Sequence, residues 1–155
     1  MNAAVIAKYH QLRQDHISLY RGTGARYHHK VPASRALDIA RRHVDIATRW
    51  EKAEAAGLVR LTLEPDIDAD LADLAGDCFN PDANPTIQPH ILEREYQEFV
   101  DRVNRDGVWG VIGEYKCPCC DHWTVADSCW GFVGDDWQES GYDLDIMHAT
   151  LSQLT

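Results

Sequence analysis

The chain lacks the features that mark membrane-spanning and secreted proteins. Its 155 residues contain no apolar run of about 18 residues, the length that a membrane helix requires. Lys8, Arg13 and Asp15 interrupt the apolar pattern of the first 20 residues, whereas a secretory signal needs an unbroken apolar core. The five cysteines are an odd number, and three of them crowd into four positions, which is a poor disulfide framework. We therefore expect a cytoplasmic protein with reduced thiols and no membrane partner.

Signatures of the common enzyme classes are also missing. No Gly-x-Ser-x-Gly elbow, P-loop or dinucleotide fingerprint occurs. His28 and His29 lie in a Tyr-His-His-Lys-Val-Pro segment that resembles the histidine core of HNH nucleases, although the downstream residues of that motif are absent at usable spacing. His122 and His148 each begin a His-x-Thr element similar to those of 2H phosphoesterases. A metal-dependent nuclease or phosphoesterase using His28, His29 or His122 is therefore the alternative, while the missing motifs favour a binding role.

Cations are scarce over most of the chain. The net charge is −10, but residues 1–60 carry 11 Lys and Arg against 5 Asp and Glu, whereas residues 61–155 carry 4 against 20. Such segregation predicts two faces of opposite potential, unless the two segments neutralise each other in the fold. The acidic majority makes direct nucleic-acid binding the less favoured role, although a zinc-stabilised nucleic-acid module using the basic segment stays an alternative.

Hydrophobic periodicity predicts a single α+β domain over residues 1–155. Helical spacing covers residues 3–20, 34–56, 89–106 and 144–154, and strand patterns cover 58–64, 108–115 and 123–133. The order ααβαββα gives a small three-stranded antiparallel sheet packed by about four helices. Residues 1–31, a helix followed by a basic loop, could form a separate unit. The core is expected to include four aromatic residues on apolar stripes: Trp50, Tyr96, Phe99 and Trp109.

The tight turn of the predicted hairpin contains Cys-Pro-Cys-Cys, residues 117–120. Cys117 and Cys120 have the spacing of a zinc knuckle, in which the turn directs backbone N–H groups at the sulfurs. His122 is near enough to be a third ligand, and a fourth would have to come from elsewhere, for example Cys78, Cys129, His28 or His29. The motif thus predicts structural zinc on Cys117, Cys120 and His122. A turn with reduced thiols is the alternative.

Two acidic segments are candidate docking surfaces. Residues 66–82 begin with Asp-Ile-Asp-Ala-Asp, which resembles the start of a calcium loop, but Leu71 occupies the position that needs glycine. Capping aspartates in a solvated loop are expected instead. In the second segment, 135–145, Asp135, Asp136 and Glu139 flank Trp137, a combination suited to docking against Arg and Lys. The alternative is a helix start that its acidic residues stabilise.

The last third of the chain carries a resemblance. Its segments GVWGVIGEYKCPCC, HWTVADSCWGFVGDDW and SGYDLDIM are similar to those of a set of small proteins from phages and bacterial mobile elements. The resemblance implies a setting and assigns no catalytic residue. Small acidic proteins in that setting resemble anti-defence factors, including anti-CRISPR proteins, which block a nuclease complex stoichiometrically. The resulting expectation is an inhibitor whose acidic surface occupies a basic, nucleic-acid-binding surface of a host defence complex.

Overall fold

A computed structural model describes residues 2–13, 16–17, 28–29 and 33–155 of the chain. The helices in these residues are α1 (Ala3–Arg13), α2 (Ala33–Ala55), α3 (Leu71–Ala75), α4 (Pro89–Asp106), α5 (Trp137–Ser140) and α6 (Tyr142–Leu151), with a 3-10 turn at Ser152–Leu154. The strands are β1 (His16–Ile17), β2 (His28–His29), β3 (Val59–Pro65), β4 (Val108–Lys116) and β5 (Trp123–Val133). None of the described helices is both long and apolar enough to cross a bilayer.

The predicted α+β class and the three-stranded antiparallel sheet are confirmed. The strand order is β3-β4-β5, so the long central strand β4 pairs on both sides. Val59 lies opposite Tyr115, and Lys116 lies opposite Trp123 at the closed end of the β4–β5 hairpin. Arg60 ties β3 to this end, because its guanidinium lies 4.2 Å from the Trp123 ring centroid and its Nε donates to Glu114. The hairpin turn is therefore held by a paired framework.

One face of the sheet is covered by α2 and α6. The buried cluster there joins three elements and consists of Ile46, Trp50, Ala53, Val59 and Leu151. α2 supplies the first three, of which Trp50 and Ala53 lie on the apolar stripe that helical spacing predicts. Gly113 of β4 allows α6 to approach closely, because a Cβ at this position would lie 2.2 Å from Thr150 Oγ1 and 2.5 Å from Ile146 Cγ2.

A second, smaller cluster lies where α3 and α4 meet the end of β5. It contains Ala75, Phe99 and Val133, with Phe79 packed against it. Of the aromatic residues expected in the core, Trp50 and Phe99 are buried and Trp109 is half-buried. Tyr96 is 40% exposed, so its predicted burial is wrong. Its ring packs against Phe79 and Phe99 and leaves the rest of the side chain in solvent.

The N-terminal region departs from the helix predicted over residues 3–20. α1 ends at Arg13, and His16 pairs with His29 in a short antiparallel ladder instead. The β-branched Ile17 suits this pairing, and a weak helical pattern is readily overridden by such tertiary contact. The basic loop at 21–30 lies almost wholly outside the described residues, as does much of the predicted unit 1–31. Its helix α1 packs against α2.

Candidate metal centre and acidic surface

The β4–β5 turn is closed by backbone hydrogen bonds at both of its ends. Cys117 N donates to His122 O at 2.8 Å, and Asp121 N donates to Cys117 O at 2.9 Å. Asp121 adopts a left-handed conformation with a φ of 60°. Its carboxylate pairs with Lys116 Nζ at 2.9 Å. These contacts bend residues 117–120 into a tight loop at the tip of the hairpin.

This loop brings three thiols together. The Sγ atoms of Cys117, Cys119 and Cys120 all lie within 4.8 Å of one another, and those of Cys117 and Cys119 are 2.7 Å apart. All three cysteines are free, and Cys119 and Cys120 are exposed. Three sulfur donors at such separations are within reach of a single metal ion. We refer to Cys117, Cys119 and Cys120 as the thiol cluster.

The thiol cluster differs in one member from the predicted ligand set. Cys117 and Cys120 belong to it, but the third donor is Cys119, and His122 is exposed and outside the group. The Cys-x-x-Cys spacing predicts only its first and last cysteines as ligands and does not include the thiol between them. A count of sulfurs in the turn would have found Cys119.

The other suggested ligands are placed elsewhere or are not described. Cys129 lies opposite Val111, five residues along β4 from Lys116, which is about 17 Å from the tip at the rise of a strand. Cys78 follows α3 and is half-buried. The side chains of His28 and His29 lie outside the described residues, so their metal-binding and nuclease roles stay predictions.

Hydrogen bonds shift the pKa values of Cys117 and Cys119 in opposite directions. The Cys119 thiol and the backbone N–H groups of Cys119 and Cys120 donate to the Cys117 sulfur, which lowers the pKa of Cys117 to about 7. The pKa of Cys119 is raised to about 11, because its proton is retained in the bond to Cys117. The lowered pKa of Cys117 means that it ionises before Cys119, and a thiolate is the form that binds metals and reacts with electrophiles. Burial, by contrast, raises the pKa of Cys129.

The first acidic segment is the strongest concentration of unpaired charge in the described residues. No Lys or Arg occurs between residues 61 and 93. The acidic surface, as we call residues 66–82, contains six aspartates, all exposed except the half-buried first: Asp66, Asp68, Asp70, Asp73, Asp77 and Asp82. The ion pairs formed between described residues include none of them. Asp70 caps α3 as predicted, its carboxylate accepting from Ala72 N at 2.7 Å.

An apolar groove borders the acidic surface. It lies between α3, the following turn and the start of α4, and its main apolar lining residues are Phe79, Pro81, Pro89, Leu92 and Tyr96. The Phe79 and Tyr96 rings meet edge to face with centroids 5.5 Å apart. Among the described residues that line the groove, Glu93 is the one that carries a charge. Aromatic contact area beside carboxylates is suited to an apolar partner segment that carries cations.

The second acidic segment is less available for docking than its sequence indicates. Arg102 donates to both carboxylate oxygens of Asp136, with Nη1 2.8 Å from Oδ2, and both side chains are about four-fifths buried. Trp137 is half-buried, whereas Asp135 is exposed. The side chain of Glu139 lies outside the described residues. Of the predicted docking residues that are described, Asp135 thus presents a free carboxylate, while Asp136 is neutralised within the fold.

Comparisons of this chain with protein-family models, with curated proteins and with solved structures find no match. The interpretation of its surfaces therefore rests on their own chemistry.

Proposed function

We propose that this chain is an interaction protein that binds a partner stoichiometrically, its acidic surface occupying a basic, nucleic-acid-binding surface. The observation that carries the proposal is the exposed, unpaired set of aspartates in residues 66–82. Carboxylates of one sign raise the rate of encounter with a cationic surface and exclude acidic competitors. Because exposed charges are screened within about 8 Å at physiological ionic strength, the binding should weaken as salt increases.

The apolar groove can supply binding energy that exposed charges alone do not provide. Exposed ion pairs contribute little affinity, and most binding energy comes from a few desolvated anchors, commonly aromatic residues. Phe79 and Tyr96 are placed to serve as such anchors beside the acidic surface. Asp135 extends the negative surface with one further carboxylate, while Asp136 acts in the fold through Arg102.

The resemblance to phage and mobile-element proteins selects the first partner to test. It makes a cytoplasmic host defence nuclease complex the proposed target, and the action proposed is that of an anti-CRISPR-like inhibitor. A basic groove that holds nucleic acid in such a complex is the complementary surface that the aspartates would occupy. The action requires no turnover, in keeping with the motifs of common enzymes that the sequence lacks.

Charge reversal at two exposed aspartates tests the proposal. Within the described part of the chain, the side chains of Asp68 and Asp82 form no hydrogen bond or ion pair, so the double variant Asp68→Lys/Asp82→Lys should keep the fold. Glu51→Lys/Glu54→Lys, on the exposed face of α2, is the matched control with the same change in net charge. Tagged proteins are used to capture partners from bacterial lysate with and without nuclease treatment, and captured proteins are identified by mass spectrometry.

The expected result is one discrete complex, retained after nuclease treatment by the wild type and by the control. The Asp68→Lys/Asp82→Lys variant should bind it at least about tenfold more weakly. Equal binding by both variants would show that the acidic surface is not the docking surface. Capture of nucleic acid alone would instead support the zinc-stabilised nucleic-acid module.

A second candidate function rests on the thiol cluster, which we propose holds a structural zinc ion. The three sulfur donors are the ligand type that structural zinc prefers, and they supply three of the four positions of its tetrahedron. A metal that binds only the folded chain stabilises it, by an amount that grows with the logarithm of the free metal concentration above the Kd. Purified protein should therefore contain about one zinc per chain, and a chelator should lower its melting temperature. No zinc, and no response to chelator, would refute this role.

A further inference from the structure

We propose that the thiol cluster is a three-thiolate metal site in which Cys119, rather than His122, is the third ligand, and that its fourth coordination position is open to a thiolate from a partner. This inference rests on the proposed zinc function and specifies its ligands. It would make the hairpin tip a second point of contact with a partner, separate from the acidic surface.

The sulfur positions require little adjustment to bind one ion. In a tetrahedral site with Zn–S bonds of about 2.3 Å, neighbouring sulfurs lie about 3.8 Å apart. The three Sγ atoms here are all within 4.8 Å of one another, and the closest pair is separated by 2.7 Å. Shifts of about 1 Å in exposed side chains would reach the tetrahedral spacing. A disulfide would need a contact of about 2.05 Å, which none of these thiols makes.

The backbone of the turn prepares the site in advance. The three Sγ atoms of the turn already lie within 4.8 Å of one another. The two backbone hydrogen bonds that close the turn hold this arrangement without a metal. Lys116 Nζ forms an ion pair with the Asp121 carboxylate, so this oxygen donor of the turn already has a partner. The turn therefore favours sulfur ligands over its own carboxylate.

The fourth position faces outward. Among the residues that the structure describes, the group of close donors ends at three thiols, and Cys129 is about 17 Å along the strand. Zinc bound by three protein ligands completes its tetrahedron with water or an incoming ligand. Cys119 and Cys120 are exposed at the tip, so a partner's cysteine could approach and displace that water. Binding would release protons from the thiols, including that of the incoming ligand.

Cobalt(II) substitution tests the ligand set directly, because cobalt–thiolate bonds give charge-transfer absorption. The full chain, reduced with a phosphine, is titrated with Co²⁺ as wild type, Cys119→Ser, His122→Ala and the control Cys78→Ser. We expect wild type, His122→Ala and Cys78→Ser to bind one ion with the same absorption. Cys119→Ser should lose about a third of the charge-transfer intensity, since one of three thiolates is removed. Addition of 2-mercaptoethanol to the wild type should raise that intensity by about a third.

The alternative outcomes separate this inference from the zinc function. Thiolate absorption that is lost in His122→Ala but kept in Cys119→Ser would overturn the assignment of Cys119 and leave the zinc site standing. Absorption unchanged by 2-mercaptoethanol would show that the fourth position is already filled within the chain. Absence of thiolate absorption in the wild type would reject both the inference and the zinc function, while the acidic docking surface would be unaffected.

Discussion

Asp136 should contribute to stability, and its neighbour Asp135 should not. Asp136 accepts two hydrogen bonds from Arg102, and about a fifth of each side chain is exposed. Arg102 also donates to Val133 O at 3.3 Å, so the pair joins α4 to the segment after β5. Asp135 is exposed. Asp136→Asn and Asp135→Asn remove the same charge one position apart, which makes the second variant a close control for the first.

The size of the effect follows from what Asp136→Asn removes. Hydrogen bonds to a charged group contribute about 1.5–3 kcal/mol, and a bidentate Arg–carboxylate pair is among the stronger kinds. The amide oxygen can still accept one bond, and Asp106, 3.7 Å from Arg102 Nε, can still offset part of the cation's charge. We expect a loss of about 2 kcal/mol in the free energy of unfolding. For a chain of this size that corresponds to a melting temperature lower by about 4–8 °C. Asp135→Asn should change the free energy by less than about 0.5 kcal/mol.

Urea unfolding followed by circular dichroism measures both variants. The slope against denaturant should stay constant while the midpoint falls for Asp136→Asn alone. A double-mutant cycle with Arg102→Met should give a coupling of about 1–3 kcal/mol, because the two side chains contact each other directly. Equal stability of the two variants would refute the reasoning, and it would return Asp136 to the set of carboxylates available for docking.

Three further predictions concern the sheet and the thiol cluster. Gly113→Ala should lower the free energy of unfolding, measured by urea denaturation, by about 1–3 kcal/mol, because the added Cβ would overlap Thr150 and Ile146. An unchanged free energy would contradict the close packing of α6 on β4. Glu114 accepts a hydrogen bond from Arg60 Nε at 2.7 Å, which lowers the pKa of the Glu114 carboxyl in the folded state. The stability that this pair contributes is therefore present above the unfolded pKa of about 4.3, and it is lost as the pH falls through the lower folded pKa. Wild type and Glu114→Gln should therefore differ in stability at pH 7 and converge in acid, whereas a constant difference would count against the pair. In reduced, metal-free protein, the rate at which iodoacetamide alkylates Cys117 should be half-maximal near pH 7, whereas Cys119 should react only at much higher pH. Peptide mass spectrometry measures both rates as a function of pH. Identical pH dependence of the two rates would rule out the hydrogen bond between the thiols.

Local patterning was sufficient to predict the class of the fold and the order of its elements. The apolar stripe of α2 predicts its buried face, and Gly107 ends α4 as expected. The alternation along β3 predicts the strand, but the predicted burial of Leu63 is wrong, because this side chain is 46% exposed. The Asp70 cap could likewise be expected, because capping depends on residues two or three positions away. These features are local in sequence, so a single chain reveals them.

The pairing of Asp136 could not be predicted in the same way. Its partner Arg102 is 34 positions away, and only the packing of α4 against the end of β5 brings the two together. The exposure of Tyr96 also depends on how α4 packs in the tertiary structure, which periodicity does not report. Cys119 differs from both, since its place inside the turn is given by the sequence itself, although the two-cysteine spacing of a zinc knuckle does not include it.

The most direct test of the docking function is a displacement experiment on the captured partner. The partner complex is loaded with fluorescently labelled nucleic acid, and the chain is titrated into it at two salt concentrations. Release of the labelled nucleic acid and its length are measured at each step. We predict full release at about one chain per complex, weaker at higher salt, with the control Glu51→Lys/Glu54→Lys active and Asp68→Lys/Asp82→Lys inactive. Label that stays bound at saturating chain, or that is cleaved, would contradict the account.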